Sequence, residues 1–149
     1  MSPHPVVVQC GAGKLPGIHP VIDLYTGPLW STLRRVRDQL GRLPVDVYVM
    51  SAAYGLVPVQ RRVPSYNALL SADPTERHHV HPDALVPQLR EQLCTLPLQM
   101  VSFCGSQLYC DTLERAGANV VQRIGGVPFR HGVARAALRA YLQAAAERA

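Results

Sequence analysis

The chain has 149 residues, 48% hydrophobic and 17% charged, with a formal charge of +5 at neutral pH. Such a length suits one domain, residues 1–149, burying roughly two-thirds of its unfolded surface. The balance excludes a disordered chain, and no apolar run approaches the ~20 residues of a membrane helix, so no membrane partner is expected. The positive charge favours nucleic acid or nucleotide as a partner, through steering rather than specific contact.

Met1-Ser2-Pro3-His4-Pro5 lacks a basic region leading into an apolar segment, which argues against export and makes the cytoplasm the expected location. Val6-Val7-Val8 reads as a strand buried on both faces, because β-branched runs fit a sheet covered on each side. Gly11 and Gly13 then offer a sharp turn and close backbone approach. Lys14 follows as the only lysine, the other fourteen basic residues being arginine. An ammonium at a strand's carboxyl end suits chemistry that an always-charged guanidinium does not, although a solvated loop lysine is the competing reading.

Leu15 to Tyr25 reads as a loop broken by Pro16, Gly17 and Pro20. Thr26-Gly27-Pro28 opens the first helix, with Leu29, Trp30, Leu33, Val36 and Leu40 as its buried stripe and Gly41 as its stop. Val45 to Met50 is the second strand, running into the small-residue turn Ser51-Ala52-Ala53-Tyr54-Gly55. Val59 to Pro87 is irregular, with a helical turn expected near Asn67 to Leu70; its length points to a functional or lid-like loop. His78, His79 and His81 lack accompanying carboxylates, so they read as solvated and no metal or other cofactor is expected.

Asp83 is the expected cap of a helix to Leu96, Gln99 to Cys104 is the third strand, and Gly105-Ser106 leads into a helix through Ala116. Asn119 to Ile124 is the fourth strand, Gly125-Gly126-Val127-Pro128-Phe129 a turn, and Gly132 to Arg148 the last helix, with Val133, Ala137, Tyr141 and Leu142 facing the sheet. Strand and helix alternate throughout. That order predicts an α/β fold, a three-layer α/β/α sandwich with a four-stranded, mainly parallel sheet. Cys10, Cys94 and Cys104 fall in or beside core elements and read as small buried hydrophobes, and no cysteine spacing fits zinc.

Gly11-Ala12-Gly13-Lys14 is not a nucleoside-triphosphate loop, because the first glycine is too close and Leu15 replaces the magnesium-binding hydroxyl. It is not a dinucleotide fingerprint either, since Pro16 and a loop follow. What remains is a set of turns at the sheet's carboxyl edge. Gly105 and Ser106 open a helix whose amino end can hold an anion, and Arg130 can add charge nearby. Arg135 reads as a solvated helix residue, and His131 as an acid or base near neutral pH or a hydrogen-bonded turn residue. Tyr25, Tyr54 and Tyr66 sit on turns, where a ring can stack on a base or plug the loop against the core.

Cys10-Gly11 with Lys14, Leu24-Tyr25-Thr26-Gly27-Pro28-Leu29-Trp30, Ser51-Ala52-Ala53-Tyr54-Gly55-Leu56-Val57 and Ser65-Tyr66-Asn67-Ala68-Leu69-Leu70 form an ordered series. This series resembles a domain of unknown function found in bacteria and phages, and is distantly similar to YaaA-type peroxide-stress proteins, which implies an association with DNA protection. Gly11 stands where a serine is frequent, and Asn67 where an aspartate usually follows the tyrosine, which removes a general base.

Two functions follow as expectations. One is an enzyme acting on the N-glycosidic bond of a nucleoside, possible within DNA and like a glycosylase, with Lys14, Asp23 and Asn67 as catalytic candidates. Its substrate would meet Cys10, Gly11, Tyr25, Gly27, Ser51, Tyr54, Tyr66, Gly105, Ser106 and Arg130. The other is a non-catalytic DNA-binding or stress-protection module, with Arg34, Arg35, Arg37, Arg61 and Arg62 on phosphates. A redox sensor built on Cys10 ranks below both, for want of a resolving cysteine.

Overall fold

The computed structural model describes residues 4–126 and 129–148. Met1, Ser2 and Pro3, which carry the reading against export, and Val127-Pro128 of the expected turn lie outside the described residues.

Strand β1 (Val6–Gln9) is central, and its three valines are fully buried. The chain then makes a short strand β2 (Ile18–Pro20), one turn of helix α1 (Val21–Leu24), and helix α2 (Pro28–Leu40). Strand β3 (Val47–Ser51) lies parallel to β1, with Val6 opposite Val47 and Val8 opposite Val49. After strands β4 (Gly55–Pro58), β5 (Arg62–Pro64), β6 (Leu69–Leu70) and β7 (His79–Val80) comes helix α3 (Pro82–Leu93). Strand β8 (Met100–Cys104), helix α4 (Gln107–Arg115), strand β9 (Asn119–Arg123) and helix α5 (His131–Arg148) complete the order. The main sheet runs β4-β3-β1-β8-β9, all neighbours parallel except β3 and β4.

The sheet therefore has five strands, not the expected four. Ser51 ends β3 and its Oγ accepts from the backbone N–H groups of Ala53 and Tyr54, both at 3.1 Å, which fixes a tight turn. Gly55 continues it at φ +71°, open to a residue without Cβ, and the chain returns antiparallel with Val57 opposite Val49. From sequence this segment looks like a small-residue loop because Gly55 and Pro58 bracket only two apolar residues. The free edge of β4 is occupied by a side chain: Gln92 of α3 accepts from Leu56 N–H at 2.8 Å and donates to the carbonyls of Tyr54 and Leu56.

Both expected loops carry short pairings. β2 pairs antiparallel with β5, and β6, where a helical turn was expected, pairs parallel with β7. Asp83 is not the α3 cap: His81 is, its Nδ1 accepting from Asp83 N–H at 3.0 Å. In α5 the buried stripe is Ala134, Leu138, Leu142 and Ala145, while Val133 is 55% exposed, because the helix is turned about one residue from the expected face. Cys10 and Cys104 are buried as expected and so is Cys110, but Cys94 is exposed, since it falls just past the end of α3.

Helix α2 packs against α5, and α3 against α4. Trp30, Leu33 and Val36 of α2 and Leu138 and Leu142 of α5 are essentially inaccessible and belong to one apolar core with β1, β3 and β8. Among the described residues no helix is long and apolar enough to cross a membrane.

Candidate functional site

β1 ends at Gln9 and gives way to Cys10 and Gly11, and the residues expected to act there fall into three groups. The first is a cluster of rings. Tyr25, on the turn after α1, hydrogen-bonds through its phenol to that of Tyr66. The Tyr54 ring meets Tyr66 edge-on, with centroids 5.0 Å apart, and the Tyr54 hydroxyl donates to the Pro64 carbonyl at 3.0 Å. The Lys14 ammonium stands 4.6 Å from the centre of the Tyr66 ring and 5.9 Å from that of Tyr25, and donates to the Ala12 carbonyl. A backbone bridge between Lys14 and Tyr25 holds the turn closed. Burial pushes the phenols of Tyr25 and Tyr66 well above the ordinary tyrosine range, and the neighbouring Cys10 pushes them further, so both stay protonated at neutral pH. Tyr25, only 1% exposed, is core rather than stacking surface. Ser51, wholly buried, spends its hydroxyl on the β3–β4 turn.

The second group is the entry to α4. The Ser106 N–H donates to Gln9 Oε1 at 2.7 Å, so this amino end is already satisfied by a side chain of the central strand. Gly105 is packed against that same side chain; a Cβ there would come within 2.7 Å of Gln9 Cβ. Tyr109, in the first turn of α4, accepts from Leu70 N–H and lies 3.4 Å from Cys10 Sγ, so its own proton is free for the sulfur. Burial, with Cys10 beside it, raises this phenol too.

The third group forms a cleft of about 40 Å³, with Gln9, Cys10 and Gly11 from the strand end and Gly27, Leu29 and Trp30 from the start of α2 on its walls. Phe129 and His131, just before and at the start of α5, close it; their rings meet edge-on at 5.0 Å. Gly27 is the N-cap of α2 and brings no side-chain acceptor, and Pro28 brings no N–H, so the positive end of a thirteen-residue helix faces the cleft. The Trp30 indole donates to the Gln9 carbonyl at 3.3 Å and fixes that wall. Neither Gly11 nor Gly13 adopts a positive φ. A Cβ on Gly13 would meet the Thr26 hydroxyl and oblige it to turn aside, whereas a Cβ on Gly11 would make ordinary contacts with Tyr25 and Trp30.

Three expected residues stand apart. Asp23 is tied to Arg37 at 3.1 Å, bracing α1 against α2. Asn67 is exposed and its side chain makes no hydrogen bond among the described residues. Arg130 is exposed, and its carbonyl accepts from Ala134 N–H in the first turn of α5.

The structure thus brings Lys14, Tyr25, Ser51, Tyr54 and Tyr66 into one cluster, and Cys10, Gly11 and Gly27 into one cleft, with Cys10 common to the neighbourhood of both. Sequence reasoning missed Gln9, Tyr109 and Phe129. Gln9 carried a signal, a polar residue ending a buried apolar strand; Tyr109 and Phe129 reach the site only through tertiary packing. No curated protein and no solved structure matches the chain. A family model does, over residues 6–134, which include every quoted motif. The chain therefore belongs to a family of unknown function (DUF6884).

Proposed function

We propose that the protein is nucleic-acid- or nucleotide-associated and acts on the N-glycosidic bond of a nucleoside at the carboxyl edge of its sheet. The observation that carries this reading is the cleft in which Cys10, Gly11 and Gly27 meet Phe129 and His131 under the uncapped start of α2. At about 40 Å³ the cleft takes a ring edge or a water, so a base would rest on the half-exposed Phe129 at the mouth. Negative charge developing on a departing base would find the positive end of α2, and the His131 imidazole can donate or accept a proton there. Lys14 stands over the Tyr25 and Tyr66 rings, and would stabilise a leaving anion or form a Schiff base with an opened sugar. The same proposal places the protein in the cytoplasm, in DNA repair or stress protection of the kind associated with YaaA-type proteins, and takes the paired helices α2 with α5 and α3 with α4 as the outer layers of a three-layer sandwich.

The second reading is a non-catalytic DNA-binding module. It is favoured by one observation: Asp23 is engaged with Arg37, apart from Lys14, so the catalytic candidates are not gathered. The experiment is release of free base, followed chromatographically, from the four deoxynucleosides and from a mixed single-stranded oligonucleotide. Release that Lys14→Ala abolishes supports the enzyme. Release that Lys14→Ala leaves unchanged removes Lys14 from the mechanism, and no release from any substrate overturns the enzyme in favour of the binding module.

A further inference from the structure

Beside the cleft, a groove of about 470 Å³ runs between α2 and α5. Its walls carry Arg35 from α2 and Arg135 and Arg139 from α5. The floor is kept open by small residues of α5, Gly132 and Ala136 among them. No carboxylate lines it among the described residues, and none of the three arginines makes an ion pair or side-chain hydrogen bond there. This is unlike Arg37 and Arg115, each of which has an aspartate. The cleft takes the first residues of both helices and the groove takes later ones, so α2 and α5 run side by side in one direction and the groove leads away from the cleft mouth.

We infer that this groove holds the phosphodiester backbone of a single nucleic-acid strand, with Arg35, Arg135 and Arg139 on successive phosphates and the strand's end or an extruded base directed to the cleft. Three exposed guanidinium groups along one carboxylate-free groove, none spent on a partner, are available to an anion, and their planar forks match phosphate oxygens. Arg135 and Arg139 are one helical turn apart on one face, about 6 Å along the axis, a repeat that suits a chain of phosphates better than one isolated anion. Packed helices lie about 8–10 Å apart axis to axis, so the groove over their seam is too narrow for a duplex to enter. The inference rests on the nucleic-acid reading above and narrows it from nucleosides in general to a polymeric strand. It also moves the phosphate contacts from the arginines singled out in the sequence, of which only Arg35 lines the groove.

The test is fluorescence anisotropy of a labelled single-stranded oligonucleotide at 50 and 200 mM salt. The proteins are wild type, Arg35→Glu/Arg135→Glu/Arg139→Glu, and Arg42→Glu/Arg77→Glu, which reverses two exposed charges elsewhere. Three phosphate contacts predict a slope of log affinity on log salt near −2, hence roughly a 20-fold loss across that range. The triple variant is expected to lose binding by at least that factor, with its thermal transition unchanged because all three positions are exposed, while the Arg42/Arg77 variant keeps it. Equal losses in both variants, or none in the triple variant, overturn the groove, as does competition by inorganic pyrophosphate as effective as that by an unlabelled strand. Base release from free nucleosides separates the two proposals: a triple variant that still releases base but no longer binds the strand supports both, whereas one that binds the strand as tightly as wild type overturns the groove and leaves the cleft standing.

Discussion

The Cys10 thiol and the Tyr109 phenol lie 3.4 Å apart, joining the end of the central strand to the first turn of α4 across 99 positions of sequence. Tyr109 also accepts from Leu70 N–H, so one hydroxyl ties together the main sheet, α4 and the irregular segment that carries Tyr66.

Tyr109→Phe keeps the ring and deletes this junction. Leu70, 3% exposed, would retain a backbone donor with no partner. The expected cost is about 1–3 kcal/mol in urea unfolding, with faster amide exchange at Leu70. An unchanged midpoint and exchange rate would show that the hydroxyl is dispensable.

Gly105 and Gly27 should respond oppositely to a methyl group. Gly105→Ala drives a Cβ to 2.7 Å from Gln9 Cβ and 2.9 Å from the Phe103 ring, and should destabilise by about 1–3 kcal/mol. At Gly27 nothing lies within 4 Å of the added carbon and φ is −73°, so Gly27→Ala should stay within about 0.5 kcal/mol. Thermal unfolding of the two variants side by side decides it.

Gln92→Leu strips the edge strand β4 of the side chain bonded to Leu56 N–H and to the carbonyls of Tyr54 and Leu56. Exchange should quicken in β4 more than in β1, and dynamic light scattering should reveal self-association through the bared edge. Uniform protection in both strands would contradict the assignment.

Alkaline stability should fall earlier than arginine or lysine titration would require. Burial pushes the Cys104 and Cys110 thiols from about 9 up to about 12. The unfolded chain loses these protons first, so their contribution is intact below about pH 9 and declines as pH rises towards 12, by up to about 1.4 kcal/mol per pH unit for each thiol. Cys104→Ala should flatten that decline in denaturation midpoints taken between pH 8 and 11, even where it lowers stability throughout. An unaltered slope would assign the decline to the buried tyrosines.

The strands β1, β3, β8 and β9 and the helices α2 to α5 were legible because each carries its own period or a buried apolar run. β4 was not, because a four-residue strand between Gly55 and Pro58 has no period to read, and its place depends on Ser51 and Gln92. The cluster of Lys14 with Tyr25, Tyr54 and Tyr66 was legible as a list of turn residues at one sheet edge, though not as rings that pack on one another. The bonds from Gln9 to Ser106 and from Cys10 to Tyr109 span 97 and 99 positions, and no local pattern registers them. For the same reason no local pattern sets Arg135 beside α2, although it is the exposed helix residue that the sequence suggests.

Lys14 has one more use. It bears the sequence's single ε-amine, and that amine hangs over the Tyr66 ring. An acylating label therefore modifies one side chain, and the rate at which it does so reads out directly whether a bound molecule shields that corner of the protein or prises the rings apart.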